Sequence, residues 1–432
     1  MKLTFLFILS AFPLIAQITL PNALKVDTHY AKIQCYTNEA LNTLSNHFEN
    51  VSKDKLVIIH YGGSHIQAEY PTTVARRNFT EKFGDGGRGL IFNYGAANTY
   101  SSINYTSTHK GKWKYSKSFQ SRNKQLPIGV CGMVVESIDS NGLLHFKFKK
   151  KIEKQKFKIH VFFENDSISN DMNLLIDSVL ISKESHQLTY FPYGASFNYD
   201  QPITTIDLKI QKKSSGTRFR FYGISIEKEE NSGVVYHSTG VGAAPFKSVL
   251  ILDKLEDQAK ILQPDIVLLD FGTNDILYTN KIDAKLESQV VKAIQKFRAI
   301  NPNMLIVLTS TQDLFNKGNP ITAGIEFRDL MDSIARKNNC LFWNWYDISG
   351  GLNTIRDWIQ EGYAQKDHIH LTKKGYEVKG QLLYESFVNT LDQFKKNQSI
   401  TELTVKGKIY PITTPINKTE VPTSEEFQPE NK

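Results

Sequence analysis

The stretch KLVIIHYGGSHIQ, Lys55 to Gln67, is where the fold is decided. From Leu56 to Tyr61 both alternating faces are apolar apart from His60, as a parallel strand covered by helices on each side requires. Gly62 and Gly63 then permit a tight turn, and Ser64 opens a helix-like stretch. Similar apolar runs recur as GVVYHS from Gly233, DIVLLDF from Asp265, MLIVLTS from Met304 and CLFWNWY from Cys340. Helical patterns such as FKSVLILDKLEDQAKIL from Phe246 and LESQVVKAIQKFRAI from Leu286 lie between them. Alternating strand and helix predicts an α/β fold, a parallel sheet sandwiched between helical layers, built from residues 27–97 and 232–395.

Residues 98–231 follow another period. Leu144, Phe146 and Phe148 alternate with His145, Lys147 and Lys149, and Phe157, Ile159, Val161 and Phe163 form a second such row. Ile206, Leu208 and Ile210 form a third, and Phe219 and Phe221 resume it after Ser214-Ser215-Gly216. Period two with polar alternates predicts antiparallel strands with one wet face, hence an all-β sandwich or jelly-roll module inserted into the α/β domain. Residues 397–432, rich in Thr, Pro, Glu and Lys, are expected to form a flexible tail in which ELTVKGKIYPI has strand character.

At 432 residues, with 40% hydrophobic and 11% aromatic residues, the chain has material for two or three folded units and is not a disordered protein. Met1 and Lys2 precede an apolar run from Leu3 to Ile15 and then Ala16, the pattern of a signal peptide over 1–16 and so of an exported protein. No stretch is long and apolar enough to predict a membrane span. Lys plus Arg number 52 against 44 Asp plus Glu, a net charge of +8 that falls to +7 without Lys2. The excess is scattered, with no basic helix, and no nucleic-acid partner is expected. Cys35, Cys131 and Cys340 are far apart and odd in number; buried thiols are expected, with one disulfide as the alternative.

Three short segments carry chemistry. Ser64 follows a buried strand, where open α/β sheets keep their ligands, and reads equally as a nucleophile or as a helix N-cap. FGTNDI places Gly272, Thr273, Asn274 and Asp275 after the strand DIVLLDF; the Asn274 amide suits a developing oxyanion, and the same residues suit an ordinary turn. KDHIHLT offers Asp367 and His370, three apart, as an acid that orients an imidazole. His368-x-His370 is also a metal-like pair, but it lacks further ligands, so no metal or other cofactor is expected. His65, Gln67, Thr273 and Asp275 are candidate substrate contacts; packing or capping is the alternative for His65 and Gln67. His237 is expected in the core, and Gly84, Gly86, Gly87 and Gly89 in a tight loop.

In this order, Ser64, then Gly272 to Asp275, then Asp367 with His370, the segments resemble the SGNH (GDSL-like) hydrolase superfamily. GGSHIQAEY and FGDGGRGL, from Phe83, are similar to a branch that deacetylates peptidoglycan and carries a β-rich, carbohydrate-binding-like module in the same place. The resemblance implies a flavodoxin-like strand order 2-1-3-4-5 and a Ser64-His370-Asp367 triad. It also implies an oxyanion hole from the backbone of Ser64 and of Gly242 or Ala243, with the Asn274 side chain. The expected activity is removal of O-acetyl groups from a polysaccharide, peptidoglycan first, in the periplasm or cell envelope. O-acetyl transfer and a decayed glycan-binding protein are the alternatives. Two departures stand out. Gly63 replaces the usual Asp before the serine, and Gly242-Ala243 replaces Asn-Gly.

Overall fold

The structure is a computed structural model that describes residues 20–120, 125–139, 141–400, 402–405 and 408–411. The expected signal peptide at 1–16 lies outside the described residues, as do residues 412–432 of the expected tail. Five parallel strands form the main sheet. In sequence they are Leu56–Gly62, Val234–Gly240, Ile266–Asp270, Leu305–Thr309 and Leu341–Trp343. In space the second lies beside the first, which is followed by the third, fourth and fifth, giving the order 2-1-3-4-5. Their residues are almost all buried because helices cover both faces. A short strand, Ile33–Gln34, extends the sheet antiparallel to Leu341–Trp343. Its two residues are too few to carry a period, and sequence reading missed it.

The first crossover is the β-rich part. Two antiparallel sheets, one through Leu143–Ile152 and Ile203–Gln211, the other through Phe157–Phe163 and Phe219–Lys228, face one another. Phe146 and Phe221 meet across the gap with ring centroids 6.1 Å apart. Along Leu143–Ile152 the expected alternation is present, with Leu144 and Phe146 buried and Lys147 and Lys149 exposed. Along Phe157–Phe163 it fails, for His160 and Phe162 are buried too. The segment before Met133–Ser137 ties the β-rich part to the α/β part: Val130 N–H donates to Gln258 Oε1 at 2.7 Å and Ile128 N–H to Asp253 Oδ2 at 2.7 Å. The β-rich part also starts before residue 98, since Gly87–Ile91 pairs antiparallel with Phe219–Lys228. Gly87 has φ 126°, and a Cβ there would stand 2.5 Å from Glu227 Cα, so the FGDGGRGL glycines serve close backbone packing.

The long last helix, Lys373–Ile400, runs past the expected domain end at 395, and Glu402–Val405 pairs with Lys408–Pro411 as a hairpin. Cys35, Cys131 and Cys340 are free thiols. No helix among the described residues is long and apolar enough to cross a membrane.

Candidate active site

The first strand ends on Gly62, where a Cβ would lie 2.4 Å from Ile66 Cγ1 and 2.8 Å from the Asp270 carbonyl, so only glycine lets the chain turn this tightly. Ser64 is the first residue of the short helix Ser64–Gln67. The loop after Tyr363 brings the second element. Asp367 Oδ1 accepts the N–H groups of Ile369 and His370, both at 2.9 Å, folding the loop around its own carboxylate. Asp367 Oδ2 lies 2.7 Å from His370 Nδ1, and His370 Nε2 lies 2.9 Å from Ser64 Oγ. Burial raises the Asp367 carboxyl, but the His370 and Ile369 donors outweigh it and hold the group below its ordinary value. A carboxylate, an imidazole and a hydroxyl thus form one hydrogen-bonded chain, an arrangement that can remove the serine proton. His368 points elsewhere, its ring 5.6 Å from that of Phe315.

Gln312 supports this loop, and sequence reading missed it. Its Nε2 donates to the Ile369 carbonyl at 2.7 Å, while its Oε1 accepts the Trp345 indole N–H at 3.2 Å. The signal was present as a polar run, TSTQD, at the end of the fourth strand. His65 lies against His370 with centroids 5.2 Å apart, and its Nδ1 is 2.9 Å from Tyr376 Oη. Burial and then Lys379 depress its imidazole well below the ordinary value, so a neutral ring supports His370. Lys379 is itself buried, 2.8 Å from Asp270 Oδ2, with His60 Nε2 on the same oxygen at 3.3 Å. Burial raises the Asp270 carboxyl, but Lys379 and His60 outweigh it and hold the group well below the carboxylate range.

The expected oxyanion and substrate residues divide. Asn274 borders Ser64 in a cleft of about 640 Å³, and its Nδ2 donates to the Ala244 carbonyl at 3.2 Å. Ala243 also lines the cleft, in the left-handed region at φ 61°. Gly242 lines it too, but its N–H is committed to Gln67 Oε1 at 2.6 Å and is not available to an oxyanion. That corrects the expectation for Gly242. It also corrects Gln67, a buried strut whose Nε2 donates to Thr99 Oγ1 and to the Tyr100 carbonyl. His65 is likewise buried rather than cleft-lining. Thr273 borders the cleft with its hydroxyl 2.9 Å from that of Thr311, while both Asp275 oxygens accept the Phe246 N–H at 3.0 Å. Asp275 is a turn-holding residue outside the cleft lining. Gly63 leaves room for Asn274, whose Nδ2 would be 3.0 Å from a Cβ at that position. His237 is buried, accepting the Leu90 N–H at Nδ1.

Residues 225–378, which include Asn274, Asp367 and His370, match the GDSL-like Lipase/Acylhydrolase family. A solved structure titled "Peptidoglycan O-acetylesterase in action" is similar over 84% of this chain and 99% of its own, with a TM-score of 0.68 at 19% identity. The lipase/acylhydrolase from Enterococcus faecalis is 18% identical over 37% of this chain and 77% of its own, with a TM-score of 0.30. No curated protein matches.

Proposed function

We propose that this chain, whose residues 225–378 match a GDSL-like lipase/acylhydrolase family and whose fold is that of SGNH-type enzymes, is an ester-hydrolysing enzyme, an exported serine esterase removing O-acetyl groups from peptidoglycan. The observation that carries the serine mechanism is the unbroken contact series from Ser64 Oγ through His370 to Asp367. Ser64 Oγ attacks the acetyl carbonyl as its proton passes to His370 Nε2, with Asp367 fixing the ring and balancing its positive charge. The tetrahedral oxyanion is met by the N–H groups of Ser64 and Ala243 and by Asn274 Nδ2. As it collapses, His370 returns the proton to the departing sugar oxygen, leaving acetyl-Ser64. Water, deprotonated by His370, then releases acetate and regenerates the serine.

Peptidoglycan is supported by the likeness to the peptidoglycan O-acetylesterase structure and by the β-rich part between the first two parallel strands. Export rests on the apolar segment after Lys2. A serine-directed phosphonate tests the chemistry: an adduct on Ser64, absent from Ser64→Ala, is expected, and an unlabelled Ser64 overturns the mechanism. Acetate release from O-acetylated peptidoglycan, set against acetylated xylan, tests the substrate. Greater release from xylan overturns the peptidoglycan assignment.

A further inference from the structure

Single exposed aromatic rings are ordinary on a protein surface, and it is their gathering at one cleft that calls for a ligand. Tyr30, Tyr100, Tyr190 and Tyr278 are exposed, and two of them, Tyr100 and Tyr278, border the cleft that holds Ser64 and His370. They come from different parts of the chain. Tyr278, 78% exposed, follows the Thr273–Ile276 turn of the α/β part. Tyr100, 48% exposed, lies between the strands Gly87–Ile91 and Tyr105–Lys110, which belong to the two facing sheets of the β-rich part. Tyr100 is held in place: its hydroxyl donates to the Ser64 carbonyl at 3.3 Å, and its own carbonyl accepts from Gln67.

The rest of the lining narrows the ligand. No Asp, Glu, Lys or Arg lines this cleft among the described residues; beside His370 its polar groups are neutral hydroxyls and amides, including Ser101, Asn274 and Gln365. Such a surface offers no partner to a phosphate or an acidic peptide. It suits a neutral sugar ring, whose C–H faces lie on aromatic rings while its hydroxyls reach amides. We propose that Tyr100 and Tyr278 are the walls of a pyranose-binding subsite that presents the acetylated sugar to Ser64. The inference rests on the esterase reading and adds to it the residues that select a glycan over a simple ester.

The test compares two substrates on the full chain, soluble O-acetylated peptidoglycan fragments and p-nitrophenyl acetate. Tyr278→Ala is expected to lower the ratio of kcat/KM for the glycan to that for the small ester by about tenfold, through KM, with Tyr278→Phe restoring it. An unchanged ratio, or a loss through kcat alone, overturns the subsite. Binding of the same fragments to Ser64→Ala separates the two readings. If the wild type cleaves only p-nitrophenyl acetate, the glycan-esterase reading fails; fragment binding to Ser64→Ala that weakens with Tyr278→Ala then still supports the subsite, and unweakened binding overturns it.

Discussion

Gln67 Oε1 accepts the Gly242 N–H at 2.6 Å, so the segment proposed to supply an oxyanion donor is clamped by a side chain from the helix that Ser64 opens. The same amide holds Thr99 and Tyr100 through its Nε2. One residue thus links the serine turn, the Gly242-Ala243 turn and the cleft wall. Gln67→Ala is expected to lower kcat by about ten- to a hundredfold with a smaller change in KM, because donors displaced by fractions of an ångström lose their transition-state alignment. Steady-state kinetics on p-nitrophenyl acetate check it, and an unchanged kcat refutes the clamp.

The oxyanion donors themselves are tested by Asn274→Ala. Loss of one such donor costs about a hundred- to a thousandfold in kcat. Asn274 also donates to the Ala244 carbonyl, so thermal unfolding is measured alongside. A large rate loss with an unchanged unfolding temperature marks a catalytic amide; equal losses of both mark a merely structural one.

Asp367→Asn addresses the other end of the proton path. An amide in place of the carboxylate can present its NH₂ to His370 Nδ1 and favour the wrong tautomer, an effect of about 10³ to 10⁴ in rate. Ser64→Ala removes the nucleophile outright, with a loss of about 10⁴ to 10⁶. Because both act on one sequence of proton transfers, the double variant is expected to be no slower than Ser64→Ala. Additive losses contradict the proposed mechanism.

The sequence exposes the architecture wherever burial imposes a period. The five apolar runs mark the parallel strands, and Leu144, Phe146 and Phe148 mark a sandwich strand with one exposed face. Phe162 and His160 mislead because a sheet covered on both faces loses its alternation. At the site, Ser64, Asn274, Asp367 and His370 are visible because their types and order are chemically selective. Whether Gly242 or Ala243 has the free N–H is not, for that depends on where the Gln67 side chain reaches, 175 residues away. The Lys379–Asp270 pair is equally silent in sequence, a lysine in the last helix reading as solvent-facing until the helix is packed.

Ala243 occupies the left-handed region at φ 61°, which an L-residue with a Cβ enters at about 1–2 kcal/mol. Ala243→Gly relieves that strain but adds about 0.4–1 kcal/mol of unfolded-chain entropy, so a net gain of about 0.5–1 kcal/mol is expected. The backbone donor survives, and activity should remain near that of the parent. Ala243→Val, with a β-branched side chain at positive φ, should lose both stability and rate. Denaturant unfolding reads the pair, and a destabilised Ala243→Gly refutes the strain.

Lys379→Met provides a signed test of the buried charge beneath the site. In the parent, the Asp270 pKa is held below its unfolded value, so the pair's contribution is present above about pH 4 and is lost as the pH falls through the folded pKa. Methionine fills much of the lysine volume but leaves a buried carboxylate with only His60 and Thr309 as side-chain partners. Burial then governs, and the Asp270 pKa rises above its unfolded value. The variant's deficit relative to the parent should therefore be smallest in acid and grow as the pH rises, to about 3–5 kcal/mol near neutrality. Adding Asp270→Asn should recover part of that deficit and flatten the pH dependence, because the uncompensated charge is gone. Unfolding from pH 3 to 7 decides it: a deficit constant with pH would mean that Lys379 acts through packing on Trp343 and Trp345, over which its ammonium lies at 6.0 and 5.7 Å, rather than through its charge.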